Sequence, residues 1–143
     1  MMDILNITWD CGKGRMQISL DKFFPCTKKD LKKLLKIISL LEWEHELELK
    51  ENLRVYFQEQ KAAHEAAKKE SARQHLEHKQ READTRELVT TRKRPNGVPL
   101  SKDELKEEKN KMGNYKRCAS IHLSDYKRHE KSEKQFSEYL KLL

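Results

Sequence analysis

The chain has 143 residues, of which 36% are hydrophobic, 38% are charged and only 7% are aromatic. Ordinary globular domains are about 45–50% apolar and about 25% charged, so this composition excludes a single thick core that takes in the whole chain. The 4 Gly and 3 Pro residues argue against a loop-rich β protein. High charge with few helix breakers is typical of long exposed helices. No apolar run approaches the roughly 18–20 residues that a membrane span needs.

The first predicted element is a β-hairpin over residues 4–20. Apolar and polar residues alternate in both strands, which places one set of side chains on the same face: Leu5, Ile7, Trp9, Met16, Ile18 and Leu20. Between the strands, Gly12 and Gly14 supply the positive φ of a tight reversal. Because a lone hairpin is only marginally stable in water, we expect its apolar face to pack on a helix.

The next predicted element is a strongly amphipathic helix. Thr27 is its predicted N-cap, with Asp30 at the third helical position, and Pro25 prevents a helix from continuing out of the strand. Leucine and isoleucine then recur at spacings of three and four from Leu31 to Leu41, while lysines occupy the opposite side. This segment therefore predicts a helix with one buried face.

The chain beyond this helix is predicted to stay helical for most of its length. Residues 42–49 alternate with a period of two, as strands do, but consist mainly of strong helix formers, so we predict a helix with a kink near Trp43 and keep a strand as the alternative. Residues 58–87 contain no Gly or Pro, and opposite charges recur there at helical spacing. They offer only a thin apolar seam, formed by Ala62, Ala63, Ala66, Ala67, Ala72 and Leu76.

Residues 90–99 are predicted to reverse the chain, because Pro95–Gly97 has the composition of a turn. Ser101 and Glu104 form a capping box that opens a short helix, and Gly113 is expected to end it. A last helix then carries one mixed stripe, formed by Tyr115, Cys118, His122, Tyr126, His129, Phe136, Leu140 and Leu143. Heptad spacing of apolar residues is found only in fragments.

These elements predict a mostly helical α+β fold. An N-terminal β-hairpin packs on an amphipathic helix and is followed by long antiparallel, coiled-coil-like helices. We expect residues 1–57 to form a hairpin-plus-helix core. Residues 58–143 are expected to form an extended helical hairpin arm with its reversal at 90–99.

Catalytic and metal-binding signals are weak. His75 and His78 lie three residues apart, and Cys118 and His122 lie four apart, so each pair could hold a zinc ion only with further ligands that cannot be assigned. No nucleophile elbow or glycine-rich phosphate loop is recognisable. We therefore expect a protein that is not an enzyme and needs no metal or cofactor, with a zinc-dependent enzyme as a remote option.

The formal net charge of +7 points to an anionic partner. The candidate binding residues form three groups: Arg92, Lys93 and Arg94 in the reversal, Lys28, Lys32 and Lys36 on the first amphipathic helix, and Lys116 and Arg117 in the last helix. Lysines opposite leucines are more often a merely solvated helix face. A loop tip that presents three cations outward is harder to explain in that way.

The sequence predicts a non-catalytic interaction protein that binds nucleic acid or a nucleic-acid-handling protein through these basic surfaces. One alternative is a phage or mobile-element inhibitor, of the anti-CRISPR type, that blocks a host nucleoprotein enzyme by protein–protein contact; it rests on size and composition rather than on residue resemblance. Another is a structural helical spacer that self-associates as a homo-oligomer. An acidic protein surface is a further option as partner, and no membrane partner is expected.

Three widely spaced cysteines and the lack of a signal-peptide pattern predict a cytoplasmic location.

Overall fold

The computed structural model describes residues 4–9 and 14–143. Its elements in chain order are strands β1 (Ile4–Trp9) and β2 (Gly14–Ser19) and helices α1 (Leu20–Phe23), α2 (Lys28–Ile38), α3 (Trp43–Thr91) and α4 (Lys102–Leu142). The predicted fold class is confirmed: an antiparallel hairpin packs on helices, and two long helices pack against each other. The predicted turn residues Asp10–Lys13 lie outside the described residues. No helix in the described ranges is long and apolar enough to cross a membrane.

Packing divides the chain into two compact units. Unit 1 comprises Met1–Glu65 and Glu130–Leu143, and unit 2 comprises Ala66–His129. Both long helices therefore contribute residues to each unit. The expected division at residue 57 into a core and an arm stays a prediction.

Unit 1 has an apolar core built from all of its elements. Leu5 pairs with Ile18 and Ile7 with Met16 across the hairpin, and the side chains of Leu5 and Ile7 are buried, as the alternation predicts. The other buried core residues are Leu20, Phe24, Leu31, Leu34, Ile38, Leu49, Leu53, Tyr56, Phe57, Phe136 and Tyr139. Two of these, Phe136 and Tyr139, come from α4, so the last turns of the chain complete the core that the hairpin begins.

The start of α2 follows the prediction, whereas its end does not. The backbone N–H of Asp30 donates to Thr27 Oγ1 at 3.2 Å, and the Thr27 hydroxyl donates to the Asp30 carboxylate at 2.9 Å. The helix ends at Ile38, and residues 39–42 separate it from α3. The expected kink near Trp43 is thus a complete break, and Trp43 begins a new helix rather than a strand.

Helix α4 is continuous from Lys102 to Leu142, so the predicted helix end at Gly113 is wrong. Its first turn is capped as expected, because the Glu104 N–H donates to Ser101 Oγ at 3.1 Å. A glycine inside a helix costs only about 0.5–1 kcal/mol relative to alanine. That cost is too small to end a helix of this length.

The contact between α3 and α4 in unit 2 mixes polar and apolar residues, which corrects the predicted alanine seam in part, since Ala67 and Ala72 of that seam are partly buried. Ala66 and Leu76 of that seam are exposed, Leu76 to 68%. The fully buried residues of this unit are instead Ser71, Glu82, Thr85 and Ala119. Spacings of three and four run without interruption along α4 through buried and partly buried residues: Leu105, Glu108, Met112, Tyr115, Ala119, His122, Tyr126 and His129. The heptad spacing is therefore continuous, but polar and aromatic side chains share it with Leu105, Met112 and Ala119.

Candidate nucleic-acid interface

The net charge of the chain belongs to unit 2. Unit 1 has 14 basic and 14 acidic side chains, whereas unit 2 has 17 basic and 10 acidic ones, which gives unit 2 a charge of +7. Summed charge creates the long-range potential that attracts a polyanion. The excess positive charge of this chain therefore lies entirely in unit 2.

Arg92, Lys93 and Arg94 lie in a small hairpin that connects α3 to α4. The Arg94 N–H donates to the Val98 carbonyl at 2.8 Å, and the Gly97 N–H donates to the Arg94 carbonyl at 2.9 Å. Gly97 has a φ of +82°, a conformation that glycine adopts without strain. The hairpin thus fixes the backbone that carries all three basic side chains, which are exposed.

Arg92 ends α3 with a left-handed backbone, at a φ of 57°. Its N–H donates to the Leu88 carbonyl at 2.9 Å, and its own carbonyl accepts from the Leu100 N–H at 2.9 Å. Glycine is the usual residue at such a helix end, because a Cβ is crowded there. The left-handed backbone is unfavourable for arginine, and its exposed side chain places a cation at the loop tip.

Only two of the three loop cations are unpaired. The Arg94 guanidinium donates to the Glu104 carboxylate and holds the pKa of that carboxyl below its usual range. Arg92 and Lys93 have no carboxylate partner in the described part of the chain. Asp84 shares a surface cleft with Lys93 and lowers the local positive potential. The loop therefore offers an anion two cations rather than the three that the sequence suggests.

A row of lysines on α4, of which the predicted site contains only Lys116, extends the basic surface. Lys102, Lys106, Lys109 and Lys116 stand at i, i+4, i+7 and i+14, which is one face of a continuous helix, and we call this row the lysine stripe. All four are exposed, and none forms an ion pair with another described residue. The i+11 position is Gly113, which has open space where a side chain would stand. At 1.5 Å per residue the stripe is about 21 Å long.

The cations of α3 in unit 2 contrast with the lysine stripe, because carboxylates on the same helix neutralise most of them. The pairs are Arg73 with Glu70 and Glu77, Arg81 with Glu77, and Arg86 with Glu82, at N–O distances of 2.6–3.0 Å. Hydrogen bonding to Arg73 holds the pKa of Glu70 below its usual range. Helix α3 therefore presents little uncompensated charge.

Of the two basic residues predicted in the last helix, only Lys116 belongs to the lysine stripe. Arg117 is exposed beside it and donates to the side-chain oxygen of Asn114. Both lie in unit 2, as do Arg92 to Arg94. Unit 2 therefore contains five of the eight predicted binding residues.

Lys28, Lys32 and Lys36 lie on the exposed side of α2 in unit 1, and we call them the α2 lysine face. Lys28 Nζ lies 2.5 Å from the Glu138 carboxylate, and this hydrogen bond holds the pKa of Glu138 below its usual range. Lys32 and Lys36 have no such partner within the described residues. Unit 1 has as many acidic as basic side chains, so the positive charge of these lysines is offset within the unit.

The candidate metal-ligating histidines make contacts within the helix pair. His75 Nδ1 lies 2.7 Å from the Ala119 carbonyl, and His78 Nδ1 lies 2.8 Å from the Gln74 carbonyl. A carbonyl oxygen only accepts, so Nδ1 carries the proton in both rings. The His78 and His122 ring centroids are 4.9 Å apart. Across residues 4–9 and 14–143, no three His, Cys, Asp or Glu side chains are grouped to hold a metal ion.

No family model, curated protein or solved structure matches this chain.

Proposed function

We propose that this chain is a non-catalytic protein that binds nucleic acid through unit 2. The observation that carries the proposal is the segregation of charge, with the whole excess of +7 in unit 2 and none in unit 1. Binding to a polyanion by counterion release needs accessible, unpaired cations and does not need a pocket. Unit 2 has such cations in its lysine stripe and at its loop tip.

The proposed binding surface is the lysine stripe together with Arg92 and Lys93. Duplex DNA carries one negative charge per about 1.7 Å of helix axis, so a stripe about 21 Å long lies alongside many phosphates. Lysine is a flexible point charge without the fixed fork that lets arginine read a base edge. We therefore expect contacts to the backbone and little preference for base sequence.

The test is a fluorescence anisotropy titration with duplex DNA, single-stranded DNA and RNA of unrelated sequences, at several salt concentrations. The stripe variant carries Lys102→Gln, Lys106→Gln and Lys109→Gln. The control replaces the three lysines of the α2 lysine face with Gln, which removes the same formal charge from an exposed helix face of unit 1. For duplex DNA we expect the stripe variant to reduce the slope of log affinity against log salt by up to about 2.7, at about 0.9 per lost contact. The control is expected to retain most of the slope.

Two results would contradict the proposal. Equal losses in the stripe variant and in the control would mean that only total charge matters, and that unit 2 is not the binding surface. Weak binding of every bare nucleic acid near physiological salt, unchanged in the stripe variant, would favour an acidic protein surface as the partner.

A further inference from the structure

An exposed apolar patch lies in unit 1 where α2 passes into α3. It consists of Ile37 (44% exposed), Leu40 (84%), Trp43 (71%) and Leu47 (48%), and we call it the corner patch. Ile37 is in the last turn of α2, and the Leu40 N–H donates to its carbonyl at 3.2 Å. Trp43 and Leu47 stand one turn apart on α3. The four side chains expose on the order of 500 Å², as much as the largest patches on monomers, which are often functional.

The position of Trp43 makes the corner patch more than scattered surface apolarity. Single exposed apolar residues are normal on protein surfaces, but a tryptophan among three aliphatic side chains within 11 residues is a concentrated group. Tryptophan is enriched at the centres of protein interfaces, where it contributes much of the binding energy. The chain is otherwise poor in aromatic residues, at 7%. The patch therefore has the composition of an interface centre.

Opposite charges neighbour the corner patch on its two helices, basic on α2 and acidic on α3. On α2, the exposed Lys33 stands one turn before Ile37, and Lys29 stands one turn before Lys33. On α3, the exposed Glu44 and Glu48 stand beside Leu47. None of these four charged groups forms an ion pair with another residue in the described ranges. The patch thus has one basic flank and one acidic flank, both uncompensated.

We propose that the corner patch is the interface of a homodimer with two-fold symmetry. A two-fold interface brings the same surface of two copies together, so it must be self-complementary. An axis through the apolar centre places the basic flank of one copy against the acidic flank of the other, twice. A partner that is only basic or only acidic would satisfy one flank and be repelled by the other. A second copy of this chain satisfies both flanks.

The size of the patch fits this occupant. A standard protein interface buries about 800 Å² on each partner, with an apolar centre and a polar rim. The corner patch supplies the apolar centre, and the lysine and glutamate flanks supply the rim. The dimer does not depend on nucleic acid, so it goes beyond the proposed function and can be tested apart from it.

The first test is sedimentation equilibrium of the full chain after nuclease treatment, over a wide concentration range. We expect a monomer–dimer equilibrium, and we expect Trp43→Ala to weaken the dimer at least about tenfold, because a central tryptophan is an interface hot spot. The control is Leu76→Ala, which removes a comparably exposed apolar side chain from unit 2 and should leave the dimer unchanged. Circular dichroism checks that each variant keeps its helix content.

The second test exchanges the charges of the two flanks. Lys33→Glu alone and Glu44→Lys alone should each weaken self-association, because each places like charges across the axis. Mixing the two variants should restore a dimer that contains one copy of each. A wild-type chain that sediments as a monomer at every concentration would overturn the proposal and leave the patch to a different protein. A dimer insensitive to both Trp43→Ala and Lys33→Glu would equally overturn it, since its interface would lie elsewhere.

Discussion

The reversal loop gives a quantitative test of nucleic-acid binding, because its three cations are not equivalent. Arg94 is held by Glu104, whereas Arg92 and Lys93 are unpaired in the described part of the chain. The slope of log affinity against log salt is negative, and on duplex DNA each lost phosphate contact reduces its magnitude by about 0.9. Arg92→Gln with Lys93→Gln should therefore reduce that magnitude by about 1.8. Arg94→Gln alone should lower the slope by clearly less than the value for one contact.

The variants can be matched so that the backbone and the net charge are controlled. Gln at position 92 has a Cβ like the native arginine, so Arg92→Gln leaves the backbone requirement of the left-handed residue unchanged. The control for Arg94 is Arg94→Gln combined with Glu104→Gln, which removes the ion pair at constant net charge. This control should bind nucleic acid as the wild type does.

The assay is anisotropy with two duplexes of unrelated sequence, between about 50 and 200 mM salt, where such slopes are well determined. Both duplexes should show the same loss for the variant at Arg92 and Lys93. The reasoning is refuted if that variant keeps the wild-type slope, or if Arg94→Gln causes the largest change of the three.

Three further predictions concern stability. Leu31→Ala, at a fully buried core position, should lower the free energy of unfolding by about 2–5 kcal/mol, and Leu35→Ala, partly buried, by less; equal losses in chemical denaturation would contradict this. Gly113→Ala should raise the free energy of unfolding by about 0.5–1 kcal/mol, because the position is helical with open space around it, and a loss would mean that the glycine is needed there. Burial raises the pKa of both the Tyr139 phenol and the Cys26 thiol, so the folded state favours their neutral forms. Their contribution to the free energy of unfolding should therefore be fully present below about pH 8.5 and be lost as the pH rises through the raised pKa values. Tyr139→Phe should make this loss smaller when denaturation is measured against pH.

The hairpin and the start of α2 could be predicted from the sequence because burial there follows apolarity, whereas the break at residues 39–42 could not. Leu5 and Ile7 alternate with polar residues and are buried. Leu31, Leu34 and Ile38 are buried on one face of a helix whose N-cap is Thr27. In these segments the local preference and the tertiary contacts agree. The contribution of α4 to this core could not be predicted, because the rings outside α4 that Phe136 and Tyr139 contact lie at least 72 residues earlier in the chain, the nearest being His64.

Unit 2 was predicted less well because its helix contact mixes polar and apolar residues. Ser71, Glu82 and Thr85 are buried there, whereas Leu76 points to solvent. A search for apolar periodicity therefore selected the alanines on α3, whereas the mixed stripe predicted on the last helix includes Tyr115, His122, Tyr126 and His129, the C-terminal half of the heptad apart from Ala119. Predicting such a contact requires following the spacing along both helices at once, whatever residues occupy it.

The wrong helix end at Gly113 hid half of the candidate site, namely Lys102, Lys106 and Lys109. Arg92 to Arg94 are contiguous and were recognised, whereas the lysine stripe is spread over 15 residues and forms a row only on an unbroken helix. The expected helix end at Gly113 cut that row in two. The ion pairs of Arg94 and Lys28 could not be predicted either, because Glu104 lies ten residues beyond Arg94 and Glu138 lies far from Lys28 along the chain. The formal charge can be counted from a sequence, but the unpaired charge depends on the fold.

The separation of charge between the units bears on both proposed surfaces. Two copies that met through unit 2 would bring two bodies of charge +7 together, and this repulsion is only partly screened, since the Debye length is about 8 Å at physiological ionic strength. Unit 1 has no net charge, so contact through the corner patch carries no such cost. Conversely, a polyanion gains little from a neutral body and much from one with unpaired lysines. The electrostatics therefore favour self-association through unit 1 and nucleic-acid binding through unit 2, and each surface is suited to one of these partners and poorly suited to the other.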